Sequence, residues 1–563
     1  MNKLSLIPIL ILLNSFAFAQ KIDVNYKFSS QKYLLEFDEI FNKSTFSDSV
    51  AFYNFLEKSR NTAINKGFVE CSVDSVVFYN TSAQVYIYIG QRYKYLRINY
   101  DHDFESILRK VNSRYLNSKL FDFSLISSEN QKIITYLENN AYPQSTVRLD
   151  SISMEENGIS AYLKIERGEK ITYGEVSISG NLKISNSFLY GYTNIKPGAA
   201  YNSESIEHVK TLINELDFAK EDEELSIYYN SKNVDVKIPA NKLQNNRFDG
   251  ILGILPNDKT TGKTVLTGEV NIYLQNMLHS AEEIDFQWQK LESSSQKLKV
   301  DFKIPYIFNT RLGLSAGLNL NKQDSTFLNS DLKTGVQFYF QGRNNIGVVY
   351  KNKTSSILTK DEVLKQQFNA FEINSYGLAI NYRKLDYNFN PHKGVDFIIE
   401  ANIGDKRSKN DSNIMISQVQ YDSRYNLKYY LKLGKSHTVL IANQAAFLVS
   451  NNLYKNELYT IGGLKSLRGF MESSIYASSY SIVTLEYRFI FEKKSAMFLF
   501  FDGAWYEKEI EKYYYDYPFG FGLGLFFKTK AGIFTISYAM GQQKNESLNI
   551  SNAKIHFGFI NKF

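Results

Sequence analysis

The chain carries one cysteine, Cys71, in 563 residues, so no intramolecular disulfide can form and no CxxC metal or redox motif exists. Its six histidines (His102, His208, His279, His392, His437 and His556) are scattered, and none stands in HxxxH spacing. That excludes a zinc hydrolase of the HExxH type, and no metal or other cofactor is expected. Beyond the N-terminus there is no run of ~18 apolar residues, so no transmembrane helix is expected. Proline and tryptophan are scarce, at eight and two. Tyrosine and phenylalanine are abundant instead, at 41 each, which favours β-structure over helix bundles or disorder. The net charge of +7 comes from 65 basic and 58 acidic residues without long like-charge blocks, too dilute for a nucleic-acid footprint. The length predicts several domains, or one large barrel with appendages.

Residues 1–19 read as a secretory signal peptide. Lys3 supplies the positive start, Leu4 to Leu13 the apolar stretch, and Ala17-Phe18-Ala19 a cleavage site. Cleavage exposes Gln20 and not a cysteine, so a lipoprotein anchor is not expected. The mature protein is expected to leave the cytoplasm.

Residues 20–240 mix helix and strand signals. Phe104, Ile107, Leu108 and Val111 line one helical face, and Ile206, Val209, Leu212 and Leu216 do the same after Ser203, a candidate N-cap. Phe52, Phe55, Leu56 and Ala63 trace a third stripe. Each stripe precedes paired alternating stretches: Val73–Phe78 and Val85–Ile89, Val147–Ile152 and Ala161–Ile165, Leu225–Tyr229 and Val234–Ile238. Asn65-Lys66-Gly67-Phe68 returns 74 residues later as Asn139-Asn140-Ala141-Tyr142, and Gly90-Gln91-Arg92-Tyr93 returns after 78 as Gly168-Glu169-Lys170-Ile171. A fixed period of this size predicts tandem small domains, with chance similarity inside one α+β domain as the alternative. Units of strand–helix–helix–strand–strand resemble POTRA domains. The resemblance divides the region into 20–91, whose start is degenerate, 92–169, and 170–240 as the best copy. There Ile178-Ser179-Gly180-Asn181 and Pro197-Gly198-Ala199-Ala200-Tyr201-Asn202 are similar to the I-x-G-N and G-x-x-Y-N features of that family. The family binds extended chains by adding a strand at a sheet edge.

From residue 241 to 563 two-residue alternation takes over. Phe534, Ile536, Tyr538 and Met540 oppose Thr535, Ser537, Ala539 and Gly541, and Val483, Leu485, Tyr487 and Phe489 oppose Thr484, Glu486 and Arg488. The pattern predicts a transmembrane antiparallel β-barrel of about sixteen strands, at roughly twenty residues per strand and loop, with fourteen fitting nearly as well. Gly520-Phe521-Gly522-Leu523-Gly524 lies inside such a strand with no helix following, so it is not a dinucleotide loop.

Between the eleventh and twelfth stretches stands Ile461-Gly462-Gly463-Leu464-Lys465-Ser466-Leu467-Arg468-Gly469-Phe470. It resembles the [V/I/L]-R-G-[F/Y] signature of the BamA/TamA superfamily, in which a long loop folds back into the barrel lumen. Leu467 replaces the commoner valine. Strand parity turns Glu486 and Asp502 inward, where both can reach Arg468, because a desolvated guanidinium must regain charge-assisted hydrogen bonds. Gly469 is expected to approach the wall closely and Phe470 to wedge against it.

The resemblance covers nearly the whole mature chain, and three repeats bring it nearest the TamA branch. It implies no enzyme and no cofactor, but an insertase for unfolded outer-membrane β-proteins, held by lipid in the outer membrane of a Gram-negative bacterium. The repeats would lie in the periplasm, with a TamB-like or other accessory protein as a further partner. It also implies an openable seam between the first strand (Arg247 to Leu255, with Phe248, Leu252 and Ile254) and the last (Ala553 to Phe563, with Phe557, Phe559 and Phe563). Asn561 departs from the usual apolar pattern of the terminal targeting strand. The rival readings are a two-partner-secretion transporter of one exoprotein and a passive porin or surface-binding barrel.

Overall fold

The computed structural model describes residues 21–563 except 81, 117–122, 157, 222, 256–264, 291–294, 324, 362–366, 388–389, 410–413, 493, 511, 530–531, 545, 547, 549, 551–552 and 561–563, and the side chains of 123–124, 251–255, 265–267 and 560. The signal peptide, Phe563 and the side chains of Leu252 and Ile254 therefore lie outside the described residues. The chain divides into two compact units: residues 21–172 with 200–203, and 173–199 with 204–563.

The first unit holds two sheets. In one, β1 (Ile22–Phe28) is followed by α1 (Leu34–Ile40), the two-residue β2 (Thr45–Phe46), α2 (Ser49–Asn65), β3 (Ser72–Tyr79) and β4 (Ser82–Tyr88). β1 runs parallel to β4, and the sheet order is β2-β1-β4-β3. Asp48 caps α2 by accepting from the Ala51 amide at 2.8 Å, and Phe52, Leu56 and Ala63 carry the buried face of the helix. The second sheet repeats the plan with β5 (Tyr95–Tyr100), α3 (Glu105–Lys110), α4 (Phe123–Glu138), β6 (Thr146–Met154) and β7 (Gly158–Glu166), in the order β5-β7-β6 with β5 parallel to β7. α3 ends before Val111, whose stripe position becomes its C-cap.

The second unit joins the third repeat to the barrel. β8 (Thr172–Ser179), α5 (Asn186–Thr193), α6 (Ser203–Glu215), β9 (Ala219–Glu221), β10 (Ser226–Tyr229) and β11 (Asn233–Lys242) give the sheet order β10-β11-β8. Ser203 is the first residue of α6 and not its cap. Ile206, Val209, Leu212 and Ile213 bury the inner face of that helix.

The barrel opens with β12 (Arg247–Leu255), β13 (Val265–Gln275), β14 (Glu283–Lys290), β15 (Gln296–Ile304), β16 (Leu312–Gln323) and β17 (Phe327–Gln341). It continues through β18 (Asn344–Ile357), β19 (Phe371–Leu385), β20 (Gly394–Lys409), β21 (Met415–Lys432) and β22 (His437–Val449). A loop hairpin of β23 (Tyr459–Ile461) and β24 (Ile475–Ala477) intervenes. β25 (Ser479–Glu492), β26 (Ser495–Ile510), β27 (Lys512–Asp516), β28 (Phe519–Lys528), β29 (Ile533–Gln542) and β30 (Lys554–Ile560) complete the wall. β27 and β28 both pair with β26, on either side of Tyr517-Pro518, so they are two parts of one strand and the antiparallel wall has sixteen. Proline has no N–H for the ladder, and the break sits there. Alternation did not reveal β27, because its Lys512-Tyr513-Tyr514-Tyr515-Asp516 run has no apolar–polar period.

The outward rows are apolar and exposed, as on β26, where Met497, Leu499 and Phe501 each expose about half their surface while Phe498, Phe500 and Asp502 are buried. Lipid replaces water on that outer face, and the antiparallel ladder pairs the backbone within it. No helix among the described residues is long and apolar enough to cross a membrane.

Three turns at one end of the barrel hold the third repeat. The Ser185 amide donates to the His279 carbonyl, and Asn276 Nδ2 donates to the Lys183 carbonyl at 2.9 Å. Tyr306, in the β15–β16 turn, packs edge-on against Phe188 and Tyr192 with ring centroids 5.6 and 5.7 Å away, and its hydroxyl donates to the Gly342 carbonyl. Gly191 makes this fit possible, since a Cβ there would lie 2.6 Å from the Tyr306 ring. Arg343 donates to Asp217 at 2.9 Å and to Glu283. Deleting a buried aromatic ring costs ~3–5 kcal/mol. Tyr306→Ala should therefore free the third repeat: protease should cut the 243–246 connector faster, while the barrel keeps its heat-modifiable gel mobility. An unchanged cleavage rate would show that the clamp does not hold the repeat.

Candidate functional site

The site is the lumen face of β25, β26, β28 and β29 with the loop that returns to it. Successive barrel strands alternate in direction, so the β22–β25 connection emerges at the end opposite the third repeat. Its 450–478 segment then folds back as the β23–β24 hairpin. Gly462 and Gly463, at φ +115° and +98°, allow the tight reversal that precedes the motif, with the Gly463 amide donating to the Leu467 carbonyl at 3.1 Å.

Arg468 is 8% exposed and forks between two inward carboxylates. Its Nε and Nη2 donate to the two oxygens of Asp502, each at 2.7 Å, and Nη1 donates to Glu486. The Arg468 amide adds a third bond to Asp502 at 3.2 Å. The guanidinium lies over the Phe500 ring, 3.6 Å from its centroid. Arg488 Nε donates to the other oxygen of Glu486 at 2.7 Å, and the Thr484 hydroxyl donates to Asp502 at 2.7 Å. Two guanidinium groups thus face two carboxylates, and the cluster is neutral as a whole. A charge-assisted, bidentate arrangement is what lets such groups leave bulk water.

The loop backbone rests on a floor of glycines. Gly520 and Gly541 are cross-strand partners on β28 and β29. A Cβ on Gly520 would lie 1.9 Å from the Arg468 carbonyl oxygen, and one on Gly541 would lie 2.8 Å from the Gly469 oxygen and from the Phe470 ring. Gly469 itself has φ +95°, and a Cβ there would meet the backbone at Met540 and Gly541 at 2.7 Å. Leu467 is fully buried, and Phe470 joins it in a cluster with Ile461, Ile482, Ala504 and Tyr506.

The structure therefore brings Leu467, Arg468, Gly469, Phe470, Glu486 and Asp502 together. Sequence reasoning missed Arg488, Thr484, Gly520 and Gly541. One signal for the glycines was present: Gly520, Gly522 and Gly524 share a face and stand opposite Asp502, Phe500 and Phe498. Large inward side chains on one strand face missing ones on the next.

The seam residues lie elsewhere on the barrel. Phe248 on β12, and Phe557 and Phe559 on β30, point outward and are 50%, 73% and 38% exposed. Among the described residues the ladder runs from β12 to β30, and no pairing joins those two strands. Also among the described residues, no group of three His, Cys, Asp or Glu side chains is placed to hold a metal ion.

The Omp85 superfamily domain model matches residues 276–563. The chain belongs to the Omp85 superfamily. A second family model, the POTRA or surface antigen variable number repeat, matches residues 171–240, the third repeat. Among solved structures, CdiB from Escherichia coli is 13% identical with a TM-score of 0.55, covering 91% of this chain and 97% of that one. CdiB from Acinetobacter baumannii is 12% identical with a TM-score of 0.53, covering 84% and 90%. BamA from Haemophilus ducreyi lacking POTRA domains 1-3 is 17% identical with a TM-score of 0.43, covering 84% and 100%. At these identities the CdiB likeness is one of fold. A comparison with curated protein sequences gives no match.

In this Omp85 barrel, Arg468→Ala leaves Glu486 and Asp502 without their common partner. Breaking a buried pair costs ~3–5 kcal/mol, with lumen water keeping the loss at the lower end. The expected outcome is a lower unfolding temperature and a loosened 467–470 motif, with the strands still paired and the rest of the loop in place. Arg468→Lys should restore only part, since an ammonium cannot make the planar fork. Neutralising Asp502 as well should give a clearly non-additive double-mutant cycle by thermal unfolding. Additive losses would show that the two groups do not interact.

Proposed function

We propose that this Omp85 protein inserts unfolded β-proteins into the outer membrane of a Gram-negative bacterium, with its repeats in the periplasm. The observation that carries the reading is that, among the described residues, the two strands at the ends of the ladder are not paired with each other. Among the described residues, β30 pairs with β29 from Lys554 to Ile560 and bears no ladder to β12. A strand edge offers unpaired N–H and C=O groups that any extended chain can satisfy, so an incoming strand can pair there whatever its sequence. The client supplies the energy through its own strand pairing and lipid burial, which requires neither nucleotide nor metal, and the protein catalyses no covalent chemistry. The edges of the repeat sheets serve the same capture at an earlier stage. Exposed Val77, Phe78 and Tyr79 on β3, and Ile152 and Met154 on β6, suit that role. The first two repeats act in this reading as POTRA modules, and an accessory partner of the TamB type would deliver or extend the client path.

The second reading is a two-partner-secretion transporter, favoured by the fold likeness to CdiB over nine-tenths of the chain. The two readings differ in route: an insertase works at the seam, whereas a transporter must clear the lumen. A passive porin fits less well, because the loop fills the lumen on the β25–β29 side.

Cysteine pairs spanning Phe248–Ile254 and Ile555–Phe559 should cross-link across the seam under oxidation. Locking it should abolish assembly of other outer-membrane proteins while the barrel remains folded and exported. Full assembly activity in a quantitatively cross-linked protein would contradict the insertase reading. If export of one exoprotein persists in the locked form, the transporter reading takes its place.

A further inference from the structure

The loop's ascending limb is fastened as securely as Arg468, and to different strands. Lys406 on β20 and Glu457 in the loop both have fully buried side chains. Lys406 Nζ donates to Glu457 Oε1 and to the Asn452 carbonyl, the latter at 2.6 Å. The same Glu457 oxygen accepts from the Tyr454 amide at 3.0 Å, which closes the short turn around the acid. Next to it, Asn456 Nδ2 donates to Ser355 Oγ at 2.7 Å and to the Asn369 carbonyl at 2.8 Å. The Asn456 carbonyl in turn accepts from Asn329 Nδ2 at 2.7 Å. Tyr459 donates to Asp422 on β21, and the Arg424 guanidinium lies 4.9 Å from the Tyr459 ring centroid.

These partners sit on β17, β18, β20 and β21 and, for Asn369, in the β18–β19 connection, whereas Arg468 is held by β25 and β26. In the ladder order the two groups of strands are separated by β22. The connection therefore crosses from one part of the wall to another and is pinned at both. A fully buried lysine is rare unless paired, and here its single carboxylate comes from the loop itself. Withdrawing the loop would leave Lys406 without its counter-charge, so loop position and charge satisfaction are coupled.

We propose that Lys406 and Glu457 form a second latch, supported by Asn456 and Tyr459, and that the loop leaves the lumen only when this latch and the Arg468 cluster both open. Lys406 and Glu457 are positioning residues: they touch no client, and they act by holding the loop. The inference concerns where the loop stays and holds for an insertase or a transporter alike.

The test uses the full-length protein in lipid with Cys71→Ser, spin-labelled through cysteines at Lys465 in the loop and Lys435 in the β21–β22 turn. The label-to-label distance reports loop position without reference to activity. Lys406→Met with Glu457→Gln removes both charges of the ion pair while Lys353 keeps its bond to the Glu457 carbonyl, so the barrel should keep its unheated-gel mobility. That pair alone and Arg468→Ala alone should each retain a dominant wild-type distance. Their combination should raise the displaced population about tenfold above the sum of the separate effects, a non-additivity that marks two latches on one element. Planar-bilayer conductance should rise only in the combination. Tyr459→Phe, which removes one hydroxyl, should give an intermediate displaced population in the Arg468→Ala background and serves if the combined variant fails to fold. Complete release by Arg468→Ala alone, or an unmoved loop in the combination, would overturn the second latch.

Discussion

Everything at the lumen site depends on giving one buried guanidinium enough hydrogen-bond acceptors. Arg468 has left bulk water, and its fork is satisfied only because Asp502 and Glu486 are turned inward on adjacent strands. Other features follow from that need. Arg488 balances the second acid, Thr484 takes a remaining lone pair of Asp502, and Phe500 supplies the face over which the guanidinium lies. The glycines at 469, 520 and 541 let the loop backbone come close enough to the wall for the fork to reach. A structural cluster of this kind has a conformational consequence: the loop has one well-defined seat, and leaving it exposes charge.

The same argument from unsatisfied groups applies to the wall itself. Sixteen antiparallel strands pair their backbone groups inside lipid, and among the described residues the first and last of them are not paired with each other, which is where the proposed function places strand capture. In the proposed function the seated loop and the seam are complementary. One keeps the lumen occupied, while the other offers a lateral edge. The clamp of Tyr306 and Arg343 adds a third constraint by fixing the third repeat against the barrel's turns.

Much of this was legible in the sequence because it is periodic. The inward–outward alternation of Val483–Phe491 and Phe534–Met540 locates strands without any partner, and the parity of Glu486 and Asp502 follows from it. Recognition of the Leu467-Arg468-Gly469-Phe470 tetrapeptide then connects the loop to those acids. What could not be read has no period. Lys406 meets Glu457 across 51 residues and Tyr306 meets Phe188 across more than a hundred, and neither distance leaves a mark on local spacing. The tyrosine run of β27 was invisible for a related reason, since identical neighbours carry no alternation. Ser203 was misplaced by one position because a serine serves a cap or a first turn equally well.

The central claim is that the seam catalyses insertion of other β-proteins, and it is tested most directly by reconstitution. The purified protein would be placed in liposomes, a urea-unfolded outer-membrane β-protein diluted in, and its folding followed by heat-modifiable gel mobility. The account predicts folding markedly faster than in liposomes carrying a porin of similar strand number, with the acceleration lost when β12 and β30 are cross-linked. Equal rates in the two kinds of liposome would contradict it.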